Sequence, residues 1–327
     1  MVPVIAPVDL ESFVVSAAFL GDVAVFGAGD GAVHFQGGAE TVVPVHKGGL
    51  LSASLTQDGK ALVTGGADGR ICRVTADGVV TELAERPRKW IDLIATGPQD
   101  AVAFASGRTA WVRLNNGEEK EFVHQRAVGG LTFAPKGLRL VTARYDGVTL
   151  WWVNAQGDPQ ELTWKGAHTG VSYSPDGKYI VTTMQENALH GWRLSDSQDM
   201  RMSGYPFKVK SISWSAKGKY LASSGAEAAI LWPFTGKNGP MGQQPLQLGL
   251  RADTQVSVVC CHPKEDMLAI GYKDGMVMAV RFSDNAEVLL RRPGQGSISA
   301  LCWDRKGTRL AFGTEEGAAG VITIAEE

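Results

Sequence analysis

The strongest constraint on the fold is a unit that recurs along the whole chain at intervals of 36 to 47 residues. In each unit an apolar or aromatic residue precedes a turn, and a short apolar run, a second turn rich in Gly and acidic residues, and another apolar run follow. The residue before the turn is Phe19, Leu55, Ala95, Phe133, Tyr173, Trp214, Cys261 and Trp303 in successive units. A period of this length is typical of repeat architectures, in which each unit is one supersecondary element packed against the next.

The apolar residues inside each unit recur at every second position, as in residues 51–55 and 299–303. This period of two predicts half-buried β-strands, and no segment keeps the 3.6-residue period of an amphipathic helix. Asp-Gly and Lys-Gly pairs separate the strands, because these residues suit the positive φ angles of tight hairpin turns. Each unit therefore predicts three consecutive antiparallel strands, with a fourth and more polar strand leading to the next unit.

Four-stranded sheets repeated at this period predict an all-β fold, an eight-bladed β-propeller with four-stranded antiparallel blades. Eight three-stranded cores occur, at residues 13–36, 49–74, 89–114, 127–153, 167–194, 208–234, 255–282 and 297–324. Seven connecting strands lie between them, so we expect residues 1–8, a short apolar segment, to close the ring as the outer strand of the last blade. Seven blades with one degenerate unit left over is the alternative. We expect residues 1–327 to form this single domain.

Composition limits the classes of function. Hydrophobic residues make up 44% of the chain and charged residues 20%, and the net charge of -2 creates no global field that would recruit nucleic acid or an anionic membrane. No apolar run reaches 18 residues, and no basic residue precedes the N-terminal apolar segment, so neither a membrane span nor a secretory signal is expected. Four cysteines are too few and too irregularly spaced for a disulfide framework, which favours a reducing, cytoplasmic location.

The units resemble WD40 repeats over nearly the whole chain. That family's pattern has a Gly-His before the first strand, a Ser or Thr in the second, an Asp in the following turn and a Trp near the end of the third. The resemblance implies that these side chains form a hydrogen-bonded structural network, here His124, Thr142, Asp146 and Trp152, with Trp151 as the alternative to Trp152. His168 is expected to lie out of register with this pattern, in the innermost strand of its blade.

Two other motifs have chemical interpretations that we do not favour. Residues 27–32 match the dinucleotide fingerprint G-x-G-x-x-G/A, but residues 33–35 continue as a strand where the fingerprint requires a helix. Cys260, Cys261 and His262, with Cys302 at the equivalent strand of the next blade, are soft metal ligands. Adjacent strand residues point to opposite faces, so Cys260 and Cys261 are not expected to share one ion. We therefore predict no catalytic residue, no metal site and no cofactor.

The same resemblance implies that a protein or peptide partner binds the face at the narrow end of the ring. The residues that fall there by register are Phe13, Lys89, Ala167, Lys208, Lys210, Gln255, Ser297 and Ser299, which enter inner strands, and Tyr145, Gln185, Lys273 and Glu315, which precede the second turn. The lysines make this rim mildly basic, and Phe13 and Tyr145 could serve as aromatic anchors. The resulting prediction is a non-catalytic scaffold for an acidic or carboxylate-bearing peptide.

A second hypothesis from another class remains open on the sequence alone. An enzyme or a metal-handling protein would use the central channel of the ring, where polar side chains of the innermost strands would meet. The available candidates are His168, Asp92, Cys260 and Cys302. The fold does not choose between the two classes, because propellers host both.

Overall fold

Nearly all of the regular structure is made of short strands that pair antiparallel. The structure, a computed structural model, describes residues 3–37, 41–155 and 157–324. These residues divide into two compact units. Unit 1 contains the residues up to Pro44 together with those from Tyr205 onward, and unit 2 contains Val45–Gly204.

The strands are numbered in chain order, and their bounds are as follows. Unit 1 begins with β1 (Val4–Asp9), β2 (Val14–Leu20), β3 (Val23–Ala28), β4 (Ala32–Gln36) and β5 (Thr41–Pro44). Unit 2 contains β6 (Leu50–Leu55), β7 (Ala61–Gly66), β8 (Arg70–Thr75), β9 (Val80–Glu85), β10 (Leu93–Thr96), β11 (Val102–Ser106), β12 (Thr109–Arg113), β13 (Glu119–Val123), β14 (Gly130–Phe133), β15 (Arg139–Trp152), β16 (Gln160–Tyr173), β17 (Tyr179–Met184), β18 (Leu189–Arg193) and β19 (Gln198–Met202), with a short 3-10 turn at Pro98–Asp100. Unit 1 resumes with β20 (Ile212–Trp214), β21 (Tyr220–Ser223), β22 (Ala229–Pro233), β23 (Leu246–Leu248), β24 (Val256–Cys261), β25 (Met267–Tyr272), β26 (Val277–Arg281), β27 (Glu287–Arg291), β28 (Ile298–Trp303), β29 (Arg309–Thr314) and β30 (Ala318–Thr323).

Unit 1 consists of four sheets, each of four antiparallel strands. Three of them are consecutive meanders, β2 to β5, β20 to β23 and β24 to β27, and the fourth has the order β1-β30-β29-β28. In that sheet β1 pairs antiparallel with β30, from Val4 opposite Thr323 to Asp9 opposite Ala318. The N-terminal segment therefore supplies the outer strand of the last sheet. Residues 1 and 2 of the segment predicted for this strand lie outside the described residues.

Unit 2 contains the point at which the structure differs from the prediction of eight blades. The described strands form seven sheets in total, six of four strands and one of six, which is the number of the seven-bladed alternative. The sequence predicts two blades where the six-stranded sheet, β14 to β19, lies. The first part of β16 pairs with β15 and its second part, from His168 onward, pairs with β17. Because β16 continues from one repeat into the next without a turn, the two repeats share one sheet.

The long strand β15 also contains a reversal that the sequence predicts. Asp146 and Gly147 have φ angles of 66° and 133°, and the Val153 N–H donates to the Leu138 carbonyl at 3.2 Å. These features are those of the hairpin turn expected at an Asp-Gly pair. The fold is accordingly that of a β-propeller with four-stranded antiparallel blades, in which two successive repeats are continuous.

The core of each unit lies between successive sheets, where the apolar faces of the strands meet. In unit 1, Leu231 and Leu248 of one sheet pack with Ile270 and Val280 of the next, and all four are fully buried. In unit 2, Val63 and Ile71 pack with Phe104 in the same way. Since the side chains of a strand alternate between its two faces, a strand buried on both faces carries apolar residues at consecutive positions.

Two observations concern helices, one at the glycine-rich segment of residues 27–32 and one on membrane spans. The glycine-rich segment at residues 27–32 joins β3 to β4 through a turn at Asp30 and Gly31, where the Gly31 N–H donates to Ala28 O at 3.0 Å. No helix begins there, so the dinucleotide interpretation is excluded for this segment. Within the described ranges no helix is long and apolar enough to span a membrane.

Candidate partner-binding site

A cleft of about 580 Å³ opens on unit 1 where the inner strands of its sheets begin. Its lining includes residues that enter β2, β20, β24 and β28 and residues in the turns after β21, β25 and β29. Eight of the twelve residues that the repeat register places on the rim lie in it: Phe13, Lys208, Lys210, Gln255, Lys273, Ser297, Ser299 and Glu315. The repeat register therefore brings together side chains that are far apart in the sequence.

Backbone hydrogen bonds explain why the two sets of rim residues meet. The Lys273 N–H donates to Gln255 O at 2.9 Å, and the Glu315 N–H donates to Ser297 O at 2.9 Å. In each repeat the residue after the second strand is thus bonded to the residue that enters the first strand. Because consecutive strands run antiparallel, the end of the second strand lies beside the start of the first.

The charge of the cleft is positive. Lys208, Lys210 and Lys273 line it against a single carboxylate, that of Glu315. Lys210 and Lys273 are exposed, and among the described residues no carboxylate lies within ion-pair distance of either. Their charges are available to a ligand, whereas Lys208 is half-buried.

Two aromatic rings flank the lysines. Phe13 is 46% exposed and Phe207 36% exposed, although phenylalanine side chains are normally buried. Both rings line the same cleft. Phe207 was not predicted because the repeat pattern places the start of this unit at Lys208, one residue later, and its only sequence signal is its place beside Lys208. Aromatic side chains in a basic cleft are typical anchors of a protein interface.

Four serine hydroxyls of the cleft, those of Ser211, Ser224, Ser257 and Ser299, are hydrogen-bonded to the backbone. Ser299 Oγ donates to Val14 O at 2.7 Å, and Ser211 Oγ accepts from the Val259 N–H at 3.1 Å. These bonds connect neighbouring sheets of unit 1 and hold the wall of the cleft in place. The serines are thus structural groups, and the arrangement favours binding through shape and charge.

The other predicted partner-binding residues lie on unit 2. Lys89, Tyr145 and Gln185 are all exposed, and the cleft of unit 1 does not include them. The Gln185 N–H donates to Ala167 O at 2.9 Å. Gln185 thus follows the same register as the rim residues of unit 1, whereas Tyr145 lies opposite Ala167 in the pairing of β15 with β16. The part of Lys89, Tyr145 and Gln185 in partner binding stays a prediction.

The predicted structural network exists in unit 2, with a different tryptophan. His124 Nε2 lies 2.8 Å from Thr142 Oγ1, and Trp151 Nε1 lies 3.3 Å from the same histidine nitrogen. The alternative Trp151 therefore holds the tryptophan position, and the prediction of Trp152 is wrong, since Trp152 points to the opposite face and is 52% exposed. Neighbouring strand residues alternate between faces, so an error of one residue moves the side chain out of the core.

Asp146 also differs from its predicted role. Its Oδ1 accepts a hydrogen bond from the Gly166 N–H at 3.1 Å and makes no bond to His124. A network that includes the aspartate, but has no tryptophan, is in another repeat, where His46 Nδ1 lies 3.0 Å from Asp68 Oδ1 and Nε2 lies 2.9 Å from Thr64 Oγ1. Burial lowers the pKa of His46 below its ordinary value, although its bond to Asp68 acts in the other direction.

His168 lies in the innermost strand of its repeat, out of register with the family pattern as predicted, and it still takes part in a hydrogen-bonded network. Its Nδ1 lies 2.7 Å from Thr182 Oγ1, and its Nε2 lies 3.0 Å from Trp164 O. The histidine occurs 14 residues before its threonine, whereas His124 occurs 18 before Thr142. The imidazole reaches the same partner from the innermost strand, a route that sequence alignment does not reveal.

The remaining metal candidates do not converge. Among the described residues, no group of three or more His, Cys, Asp or Glu side chains could hold a metal ion. His262 Nε2 donates to Gly307 O at 3.0 Å and its Nδ1 accepts from the Glu265 N–H at 2.9 Å, so both ring nitrogens are engaged. Burial raises the pKa of Cys260 to about 11 and that of Cys302 to about 12, which keeps both thiols protonated near neutral pH.

Comparisons with known proteins agree with the repeat and the fold. The family model of the anaphase-promoting complex subunit 4 WD40 domain matches residues 253–326, and that of the WD domain, G-beta repeat, matches residues 39–72. No curated protein matches the sequence significantly. The crystal structure of the computationally designed Ika8 protein is similar, with a TM-score of 0.79 and 19% sequence identity over 97% of this chain and 98% of that one. At this identity the likeness concerns the fold alone.

The evidence for the family comes from three sources. The first match lies over β24 to β30, and the second contains His46, Thr64 and Asp68, which form the network that includes an aspartate. The period of the sequence and the four-stranded antiparallel sheets agree with these matches. The chain is a WD40-repeat β-propeller.

Proposed function

We propose that this protein is a non-catalytic scaffold that binds an acidic segment of a partner protein in the cleft of unit 1. WD40 propellers are generally protein-interaction scaffolds. The observation that supports the specific proposal is the convergence of Lys208, Lys210 and Lys273 with two exposed rings in one cleft. In this proposal Phe13 and Phe207 provide apolar contact area, and the lysines attract the carboxylates of the partner.

What the lysines and the two rings each contribute to binding follows from the exposure of these side chains. Exposed charges mainly accelerate association and select the partner, because solvent and salt screen their attraction once the complex has formed. The rings can be desolvated against an apolar side chain of the partner, so they contribute more to the lifetime of the complex. We therefore expect an acidic segment that contains at least one apolar or aromatic residue.

Charge reversal of the two exposed lysines tests the proposal. The variant Lys210→Glu with Lys273→Glu is expected to lower the affinity for a partner captured from native lysate by at least about tenfold, because four units of charge change in the cleft. The affinity of the purified pair is measured by titration calorimetry at two salt concentrations. We expect the wild-type affinity to fall with salt and the variant to show little or no such dependence.

A matched variant separates the site from the net charge of the protein. Lys217 and Lys219 are also exposed residues of unit 1 and do not line the cleft. Lys217→Glu with Lys219→Glu makes the same change of charge and is expected to leave the affinity unchanged. Equal affinity in both variants, with both folded by circular dichroism, would show that the partner binds elsewhere.

A further inference from the structure

A second cleft, of about 560 Å³, lies on unit 2 and has a different composition. It is lined by Tyr145, Asp146, Thr163, Trp164 and Lys165. These residues come from the turn within β15 and from the middle of β16, the strand that joins two repeats. The cleft thus lies where β16 continues from one repeat into the next without a turn. β15 and β16 are the two longest of the described strands of unit 2.

The indole of Trp164 is held in a fixed orientation. Its ring stacks on that of His190, with centroids 4.0 Å apart and an interplanar angle of 16°. His190 is completely buried, so the stack rests on the core of the unit. Trp164 itself is half-buried. The part of the indole that lines the cleft is therefore held in a fixed orientation.

Tyr145 provides a second ring in the same cleft. It is 48% exposed, although tyrosine side chains usually bury most of their ring. Cation–π contacts occur elsewhere in unit 2, as between Arg86 and Trp111. No cation of the described chain lies over Tyr145 or Trp164. Both rings can therefore accept a cation from another molecule.

The carboxylate of Asp146 gives this cleft an acidic side. Asp146 has a φ angle of 66°, and its Oδ1 is fixed by the Gly166 N–H at 3.1 Å, while the residue as a whole is exposed. A Cβ atom at Gly166 would lie 2.8 Å from Glu186 Oε1, so a second carboxylate adjoins the same backbone. Lys165 is the opposing charge, and it has no ion-pair partner among the described residues.

We infer that the cleft formed by Tyr145, Asp146 and Trp164 binds the guanidinium group of an arginine side chain from a peptide. A guanidinium is planar and weakly hydrated, so it stacks on a flat indole and pairs with a carboxylate at its edge. The site is independent of the basic cleft of unit 1 and has the opposite preference for charge. It would let the protein recognise a partner, or a second partner, through an exposed arginine.

The test uses a probe and an uncharged analogue of the same shape. N-acetyl-arginine amide and N-acetyl-citrulline amide differ in the charge of the terminal group and little in size. We expect saturation-transfer NMR to show binding of the arginine probe, with an affinity at least about tenfold higher than that of the citrulline probe. Equal signals from the two probes would overturn the inference, since they would indicate contact without recognition of charge.

Variants locate the binding without disturbing the fold. Asp146→Asn keeps the left-handed backbone and the bond to the Gly166 N–H, because Asn also adopts positive φ. It should weaken the arginine signal at least about fivefold, while Asp158→Asn, at another exposed aspartate of unit 2, should not. Tyr145→Ala should also reduce the signal. An arginine signal that is unchanged in both Asp146→Asn and Tyr145→Ala would contradict the assignment of the site.

Discussion

Acidification from pH 7 to pH 4 is expected to lower the free energy of unfolding by about 2–3 kcal/mol through His190 alone. The side chain is completely buried. Burial, with smaller contributions from His168 and Arg201, lowers the pKa of His190 from 6.5 to about 3. A carboxylate oxygen of Asp199 lies 3.6 Å from Nε2 and offsets part of the cost of protonation.

The direction of the change in stability follows from the pKa of His190 in the unfolded chain and in the folded protein. In the unfolded chain the imidazole binds a proton below about pH 6.5, whereas in the fold it stays neutral until the pH approaches 3. Between these values the unfolded state binds more protons, so stability falls as the pH falls. Each pH unit corresponds to about 1.4 kcal/mol, before the reduction due to Asp199.

Two measurements check this prediction. Urea unfolding between pH 7 and pH 4 gives the loss of stability, and the variant His190→Phe, which keeps a ring against Trp164, should show a shallower pH dependence. NMR titration of the His190 ring protons is independent of whether that variant folds. A His190 resonance that titrates near pH 6.5 would contradict the buried, neutral state described here.

Replacement of Trp192 by alanine is expected to cost about 3–5 kcal/mol of unfolding free energy. Trp192 is the largest side chain among those that are completely buried, and its ring lies 4.8 Å from that of His190 and 5.7 Å from that of His168. The substitution would remove these contacts and leave a cavity in the core of unit 2. This is a large part of the total stability of a typical protein, about 5–15 kcal/mol.

Trp152→Ala is the matched control in the same unit. Trp152 is 52% exposed, and its main contact is with the guanidinium of Arg139, 4.6 Å from the ring. Loss of such an exposed contact costs about 0.5–1 kcal/mol. Urea unfolding of both variants gives the comparison. Similar losses for the two tryptophans would mean that the assignment of Trp152 to the surface is wrong.

The fold could be predicted from the sequence because its main signals are local and are repeated many times. Alternation with a period of two, Asp-Gly turns and the 40-residue interval all indicate strands, and the strands occur where these signals place them. The number of sheets could not be predicted in the same way. It depends on whether residues 164–167 turn or stay extended between two repeats, and a short segment that contains a glycine can do either.

The site was predictable to the extent that it follows the repeat register. Phe13, Lys208, Lys210 and Lys273 lie in one cleft because backbone bonds fix which residues of each repeat reach the rim, while their role in binding stays a prediction. Trp151 and Trp152 could not be distinguished, since a shift of one residue exchanges the two faces of a strand. Tyr205 was missed because it replaces the expected histidine. Its hydroxyl lies 2.6 Å from Ser223 Oγ, the position that His124 has relative to Thr142.

The central claim is that an acidic partner binds in the cleft of unit 1, and photo-crosslinking tests it most directly. A photoreactive phenylalanine analogue is placed at Phe13 or at Phe207, and the variants are irradiated in native lysate. Leu246 is the control position, because it is also in unit 1, is exposed to 44% and does not line the cleft. We expect both cleft positions to crosslink to the same acidic segment of one protein and the control position to give no such product. Crosslinks from Leu246 alone, or no common product from Phe13 and Phe207, would contradict the account.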